Sequence, residues 1–140
     1  MCGVKLRRRR AGHRCCVLLG ALLLCSAPLA EDQVDKTLFL VTEPDRIVAA
    51  NAETGQFFTL ELHAKEVVES SAVASASAVL VTNQRFAAIG AFPGGWRSIR
   101  REAGETLVSA EAEGYSVLVV TSSRIISFSG RNGSWSFTRR

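Results

Sequence analysis

The stretch VLVVTSSRIISFSGRNGSWSFTRR, residues 117–140, is the third copy of a pattern that the chain repeats. Arg46, Arg85 and Arg124 are each separated by 39 residues (85 − 46 and 124 − 85). Two further series keep the same step, namely Gly55, Gly94 and Gly133, and Phe57, Trp96 and Trp135. Self-similarity at a fixed period of about 20–50 residues predicts a repeat architecture.

The first 30 residues have the pattern of a secretory signal peptide. Basic residues between Lys5 and Arg14 precede an apolar run over residues 15–24, and small residues up to Ala30 provide a cleavage site. The apolar run is much shorter than the roughly 20 residues that a membrane span needs. We therefore expect an exported protein, periplasmic or extracellular after cleavage near Ala30, with no membrane span in the mature chain.

Removal of this segment changes the composition of the chain that folds. The segment contains all four cysteines, so the mature chain forms no disulfide and no thiolate metal site. It also contains six of the 17 Lys and Arg residues and none of the 13 Asp and Glu residues, which leaves a net charge of 11 − 13 = −2. A mildly acidic domain gives no support for nucleic-acid binding or for an anionic membrane surface.

Residues 31–140 have the length of one domain, and its repeats span about 38–77, 78–116 and 117–140. Each copy has an apolar strand ending in Thr (Thr42, Thr82, Thr121), a polar turn before the recurring Arg, a second strand, a turn ending in Gly, and a third strand that begins at the aromatic residue. The first polar turn is interpreted as one residue longer than the others. A fourth strand follows Glu66 and Glu105, and the third copy stops at Arg140 before reaching it.

This pattern predicts an all-β chain of three four-stranded antiparallel repeats, with the last repeat lacking its fourth strand. Four antiparallel strands in about 40 residues are typical of a β-propeller blade. Three such units also fit a β-trefoil, which closes as a monomer. A third interpretation is a truncated piece of a larger propeller with no independent function.

The stretch LFLVTEPDRIVAANAETG, residues 38–55, resembles a blade of the quinoprotein-like and related eight-bladed repeats, and more loosely of WD40-like repeats. The Gly-His and Trp-Asp marks of WD40 blades are absent, and the recurring aromatic lies only two residues after the recurring Gly. The resemblance covers the repeat pattern and therefore implies a propeller architecture. Such families include dehydrogenases and non-catalytic scaffolds, so it implies no particular activity.

Catalytic chemistry has little support in the mature sequence. His63 is its one histidine, its equivalent 39 residues later is Glu102, and no glycine-rich phosphate loop precedes a helix. We therefore expect a protein that is not an enzyme and that binds no cofactor and no metal.

The recurring residues are the candidate ligand-binding set: Arg46, Arg85, Arg124, Trp96, Trp135, Glu66 and Glu105. In a structural role the Arg pairs with the Glu or with turn carbonyls, and the aromatic residue packs between blades. In a functional role the same three residue types form a sugar site, as in some fucose-type lectin propellers.

The leading hypothesis is an exported, non-enzymatic binding or scaffold module. It associates with a second copy, as a homodimer that completes a propeller, or with another protein through an open edge at Arg140. A carbohydrate-binding, lectin-like protein with a glycan ligand is the alternative.

Overall fold

The computed structural model describes residues 36–140, in which eleven β-strands make up the regular structure. They are β1 (Leu38–Thr42), β2 (Arg46–Asn51), β3 (Gln56–Glu61), β4 (Val68–Val73), β5 (Ser77–Thr82), β6 (Arg85–Gly90), β7 (Arg97–Arg100), β8 (Leu107–Glu113), β9 (Ser116–Thr121), β10 (Arg124–Ser129) and β11 (Ser134–Arg139). Within that range the chain has no helix, and hence none long and apolar enough to cross a membrane. The signal peptide expected over residues 1–30 lies outside the described residues.

The strands form three antiparallel sheets, and in each sheet the strands follow chain order. The first sheet contains β1–β3, the middle sheet β4–β7 and the last sheet β8–β11. The prediction of an all-β chain with eleven strands is confirmed. The β-trefoil alternative is wrong for residues 36–140, because their strands form three separate sheets and no closed barrel.

The fourth strand of each copy belongs to the next sheet rather than to its own. β4 pairs with β5 and β8 pairs with β9, whereas β3 and β4 are separated by six residues and do not pair. The turns into β5 and β9 are short, three residues (74–76) and two (114–115), and short connections favour antiparallel pairing of the strands that they join. The last copy supplies only the three strands β9–β11, as predicted, but the expectation that each fourth strand belongs to the sheet of its own copy is wrong: β8 completes the last sheet to four strands, and the first sheet has three.

The polar turn of the first copy has the same length as the other two. Thr42 pairs with Ile47 just as Val81 pairs with Phe86, and both pairs span five residues. Glu43 therefore occupies the position of Thr82 and Thr121, and the extra residue expected in the first copy is not there. The first sheet therefore has a carboxylate at the position where the other two sheets have a threonine hydroxyl.

The sheets stack face to face, and the middle sheet is covered on both sides. Every residue of β5 is buried, because one face packs on the first sheet and the other on the last. The middle and last sheets approach each other closely at Gly90 and Gly130. A Cβ added at Gly90 would lie 2.1 Å from the Gly130 carbonyl oxygen, which no side chain permits.

Candidate functional site

A buried ion pair joins the residues just before β4 to the start of β6 in the middle sheet. Glu66 accepts hydrogen bonds from Arg85 Nε at 2.8 Å and Arg85 Nη2 at 3.0 Å, and its side chain is fully buried. Thr82 Oγ1 donates to the same carboxylate at 2.8 Å and accepts the Arg85 amide N–H at 3.0 Å. Burial by itself raises the pKa of Glu66, but the hydrogen bonds from Arg85, the His63 amide and Thr82 together lower it below its ordinary value of 4.5.

The last sheet repeats this network residue for residue, 39 positions later. Glu105 accepts from Arg124 Nε at 2.9 Å, Arg124 Nη2 at 2.6 Å and Thr121 Oγ1 at 2.6 Å. The Arg124 hydrogen bond is the main reason that the pKa of Glu105 falls from 4.5 to about 2, and it also raises the pKa of Arg124. With its carboxylate saturated by partners from its own sheet, Glu105 has little capacity left for an external ligand.

Each of these arginines also reaches the sheet before its own. Arg85 Nη2 donates to the Glu61 carbonyl at 2.6 Å, and Arg124 Nη2 donates to the Arg100 carbonyl at 3.1 Å. Both acceptors lie at the end of the last strand of the preceding sheet. The recurring arginines therefore connect neighbouring sheets as well as neutralising a carboxylate.

In the first sheet the recurring arginine, Arg46, has a different partner. Arg46 Nε donates to Glu43 at 2.5 Å, and the side chains of this pair remain 47% and 38% exposed. The strands that follow the glutamate in the other two sheets, β4 and β8, have no counterpart beside β1 among residues 36–140. Glu43, at the threonine position, supplies the negative charge instead and raises the pKa of Arg46.

The two tryptophans lie between sheets. Trp96 packs on the first sheet, and its Nε1–H donates to the Phe58 carbonyl at 3.0 Å. Trp135 packs on the middle sheet with its ring 5.0 Å from that of Phe128, and its Nε1 is buried without a hydrogen-bond partner in the described part of the chain. Their equivalent, Phe57, is 72% exposed because no sheet of residues 36–140 lies in front of it.

A groove of about 1100 Å³ runs beside the middle sheet and the loop before β8. Its charged lining is largely paired within the chain. Arg101 donates to the Thr82 carbonyl, the Glu105 carbonyl and Glu69, each at 2.7 Å. The groove therefore presents few uncommitted polar groups. In the described residues there is also no group of three or more His, Cys, Asp and Glu side chains placed to hold a metal ion.

The outer face of the first sheet holds three exposed large hydrophobic residues, Phe39, Val41 and Phe57. We define it by five residues of β1–β3 that alternate with the buried set: Phe39, Val41, Val48, Ala50 and Phe57. Phe39 and Val41 are 44% and 54% exposed. The equivalent residues of the middle sheet, Ala78 and Leu80, are fully buried against the first sheet.

The outer face of the last sheet is more polar. We define it by Leu118, Val120, Ile125, Ser127, Ser136 and Thr138. Ser127 and Ser136 hydrogen-bond each other across the strands at 2.7 Å and are exposed. The two ends of the stack thus differ in character.

The structure brings the sequence-predicted residues together as sets within each repeat rather than as one site. Arg85 with Glu66 and Arg124 with Glu105 form the two buried networks, whereas the two tryptophans lie on other parts of the sheet interfaces. Sequence reasoning missed the role of Thr82 and Thr121, although their 39-residue spacing was visible. It did not name the residues of the two outer faces, because the fourth strands were placed in the wrong sheets.

Comparisons with known proteins give a structural likeness only. No family model matches the sequence, and no curated protein matches it. Among solved structures, the chain is similar to a protein of unknown function from Bacteroides caccae, with a TM-score of 0.46 and 19% identity. The matched region spans 71% of this chain and 39% of that chain.

Proposed function

We propose that this protein is an exported, non-enzymatic binding module whose three sheets act as propeller blades, and that it works by docking a further β-sheet on the outer face of its first sheet. The observation that carries this proposal is the exposure of Phe39, Val41 and Phe57 at positions where the other two sheets bury or half-bury their side chains. Each position is part of a sheet-to-sheet interface twice within the same chain. The third instance has no sheet on it among residues 36–140.

The energetics favour a covered face. Three large apolar side chains in one patch exceed the scattered apolar exposure that is normal for a soluble surface. Each of them gains about 1.5–3 kcal/mol when it is buried fully rather than left in water. A partner that covers the patch therefore gains several kcal/mol, before the entropy cost of association.

The contacts of the recurring residues support a structural role more than a sugar site. The carboxylate oxygens of Glu66 and Glu105 accept hydrogen bonds from Arg, Thr and backbone N–H groups of their own chain. Trp96 uses its N–H within the chain and packs between sheets. A lectin site needs these groups open to solvent, so the binding-module proposal accounts better for the geometry.

Site-specific photocrosslinking tests the proposal. A benzophenone amino acid replaces Phe57 in one variant of the full chain and Phe137 in the control; both residues are exposed, but Phe137 lies outside the outer face of the first sheet. In cells that naturally produce the protein, the variant at position 57 is expected to give an adduct that mass spectrometry maps to one segment of one polypeptide. The variant at position 137 is expected to give no such adduct. Equal or absent adducts at the two positions would overturn the proposal.

A further inference from the structure

We infer that the sheet docked on the first sheet is the last sheet of a second copy of this chain, so that two copies close head to tail into a ring of six sheets. This inference rests on the proposed function and names its partner. It also names the second surface, the outer face of the last sheet. The chain carries one of each kind of face that its two internal interfaces use, and both are open within residues 36–140.

The internal interfaces show why the pairing is head to tail. In both, the face of the earlier sheet that carries Leu40 or Val79 packs on the opposite face of the following sheet, which carries Leu80 or Val119. The outer face of the last sheet is of the first type, with Leu118 at the position of Leu40 and Val79. The outer face of the first sheet is of the second type, with Val41 at the position of Leu80. Joining the two faces repeats an interface that the chain makes twice.

A ring also gives Arg46 the contact that it lacks. Arg85 and Arg124 donate to the carbonyls of Glu61 and Arg100 in the preceding sheet, and the next carbonyl in that series is Arg139. Arg46 of a second copy, facing the last sheet, meets that carbonyl in the same geometry. Its exposed guanidinium then has both a carboxylate, Glu43, and a carbonyl partner.

Side-chain sizes at the new interface also match. Trp96 packs on the first sheet at Phe58 and donates to its carbonyl. The residue equivalent to Phe58 in the last sheet is the much smaller Ser136. Phe57 takes the place of the tryptophan and carries no N–H that needs an acceptor. At the sheet ends, Asn51 Nδ2 donates to the Ala91 carbonyl at 2.8 Å, and Ser129 is placed to donate to the equivalent carbonyl of Ala52 in the second copy.

Area decides between the ring and a symmetric pairing of two first sheets. A sheet face with strands about 4.8 Å apart and roughly 17 Å long offers on the order of 300 Å². Two first sheets stacked on each other bury about 600 Å², which is below what a specific interface needs, whereas the ring buries four faces and about 1,200 Å². The ring is also closed, so it leaves neither outer face open for further growth.

The test uses two full-chain variants with opposite charges, Phe57→Asp on the first sheet and Ile125→Lys on the last. Both residues are exposed, so each variant is expected to keep the wild-type circular dichroism spectrum. The wild type is expected to run as a dimer in light scattering. Each variant alone places an unpaired charge in both ring interfaces and should raise the dimer dissociation constant at least about 100-fold.

Mixing the variants is the decisive step. The mixed ring has one wild-type interface and one in which the introduced aspartate faces the introduced lysine, so an equimolar mixture should recover most of the dimer. If Ile125→Lys alone remains fully dimeric, the pairing is between two first sheets and the ring is overturned. A wild type that stays monomeric up to about 1 mM also overturns the ring. The proposed function then still stands if position 57 crosslinks to a different polypeptide, and falls with the ring if it crosslinks to none.

Discussion

Arg124 Nη2 lies 2.6 Å from the Glu105 carboxylate, and the two side chains are only 4% and 1% exposed. The equivalent arginine of the first sheet, Arg46, pairs with Glu43 at the surface. One chain therefore contains a buried and an exposed version of the same ion pair. Comparing the two pairs measures how burial changes the contribution of the ion pair to the free energy of unfolding.

Replacing Glu105 by Gln is expected to lower the free energy of unfolding by about 3–5 kcal/mol, because buried Arg124 then keeps only the partly exposed carboxylate of Glu102, 3.9 Å from its Nε, as a counter-charge. Glu43→Gln is the matched control, and loss of an exposed pair should cost no more than about 1 kcal/mol. Urea denaturation followed by tryptophan fluorescence measures both. Equal losses for the two variants would show that the network around Glu105 does not hold the last sheet together.

Stability should fall in acid over a window set by the two buried glutamates. The folded pKa of Glu105 is about 2 against an ordinary value of 4.5, and the pKa of Glu66 is lowered in the same direction. A lowered folded pKa gives stability that is complete above the unfolded pKa and is lost as the pH falls through the folded pKa. For Glu105 the loss between about pH 4.5 and pH 2 is roughly 3 kcal/mol.

The urea midpoint measured from pH 7 to pH 2 checks this expectation. It should be flat above about pH 5 and decline below it. In Glu105→Gln the decline should be shallower, because one of the two titrating groups is gone. A decline of unchanged steepness would assign the acid sensitivity to other carboxylates.

The two tryptophans should respond differently to the same substitution. Trp96→Phe removes the hydrogen bond to the Phe58 carbonyl, whereas Trp135→Phe removes an N–H that has no partner within residues 36–140. Both variants lose similar ring area, so the difference isolates the N–H. We expect Trp96→Phe to be more destabilising than Trp135→Phe by about 1–3 kcal/mol in thermal or urea unfolding. The reverse order would mean that Trp135 Nε1 has a partner in solution.

The periodic residues allowed much of the fold to be predicted from the sequence. The 39-residue spacing of Arg85, Arg124 and the aromatic series gave the number of repeats and the number of strands correctly. The 39-residue spacing does not show where one sheet ends and the next begins, however, because the period is the same whichever residue is taken as the start of the unit. The short turns before β5 and β9 determine that β4 and β8 belong to the sheets of β5 and β9. The small residues around these turns show no clear apolar pattern, so the sequence is equally compatible with linkers.

The pairing of Glu66 with Arg85 and of Glu105 with Arg124 was within reach of the sequence, since both series recur. The surface pair of Arg46 with Glu43 was not, because aligning Thr42 with Thr82 hid the fact that Glu43 holds the threonine position. The composition of the two outer faces depends on which strands share a sheet, so their residues could be named only once the strand pairing was known.

Gly90→Ala tests the contact that sets the distance between the middle and last sheets. The new Cβ would lie 2.1 Å from the Gly130 carbonyl oxygen, which is a backbone atom and cannot rotate away. The sheets must therefore separate, and we expect a loss of about 3 kcal/mol or more in the free energy of unfolding. Ser129 holds the same repeat position in the last sheet and already carries a Cβ, so Ser129→Ala should change stability by no more than about 1 kcal/mol. Gly130→Ala should fall between them, because its nearest neighbour would be the Tyr115 carbonyl oxygen at 2.9 Å. If Gly90→Ala is as mild as Ser129→Ala in urea denaturation, the sheets are not in close contact at this point and the stacking described for the last two sheets is incorrect there.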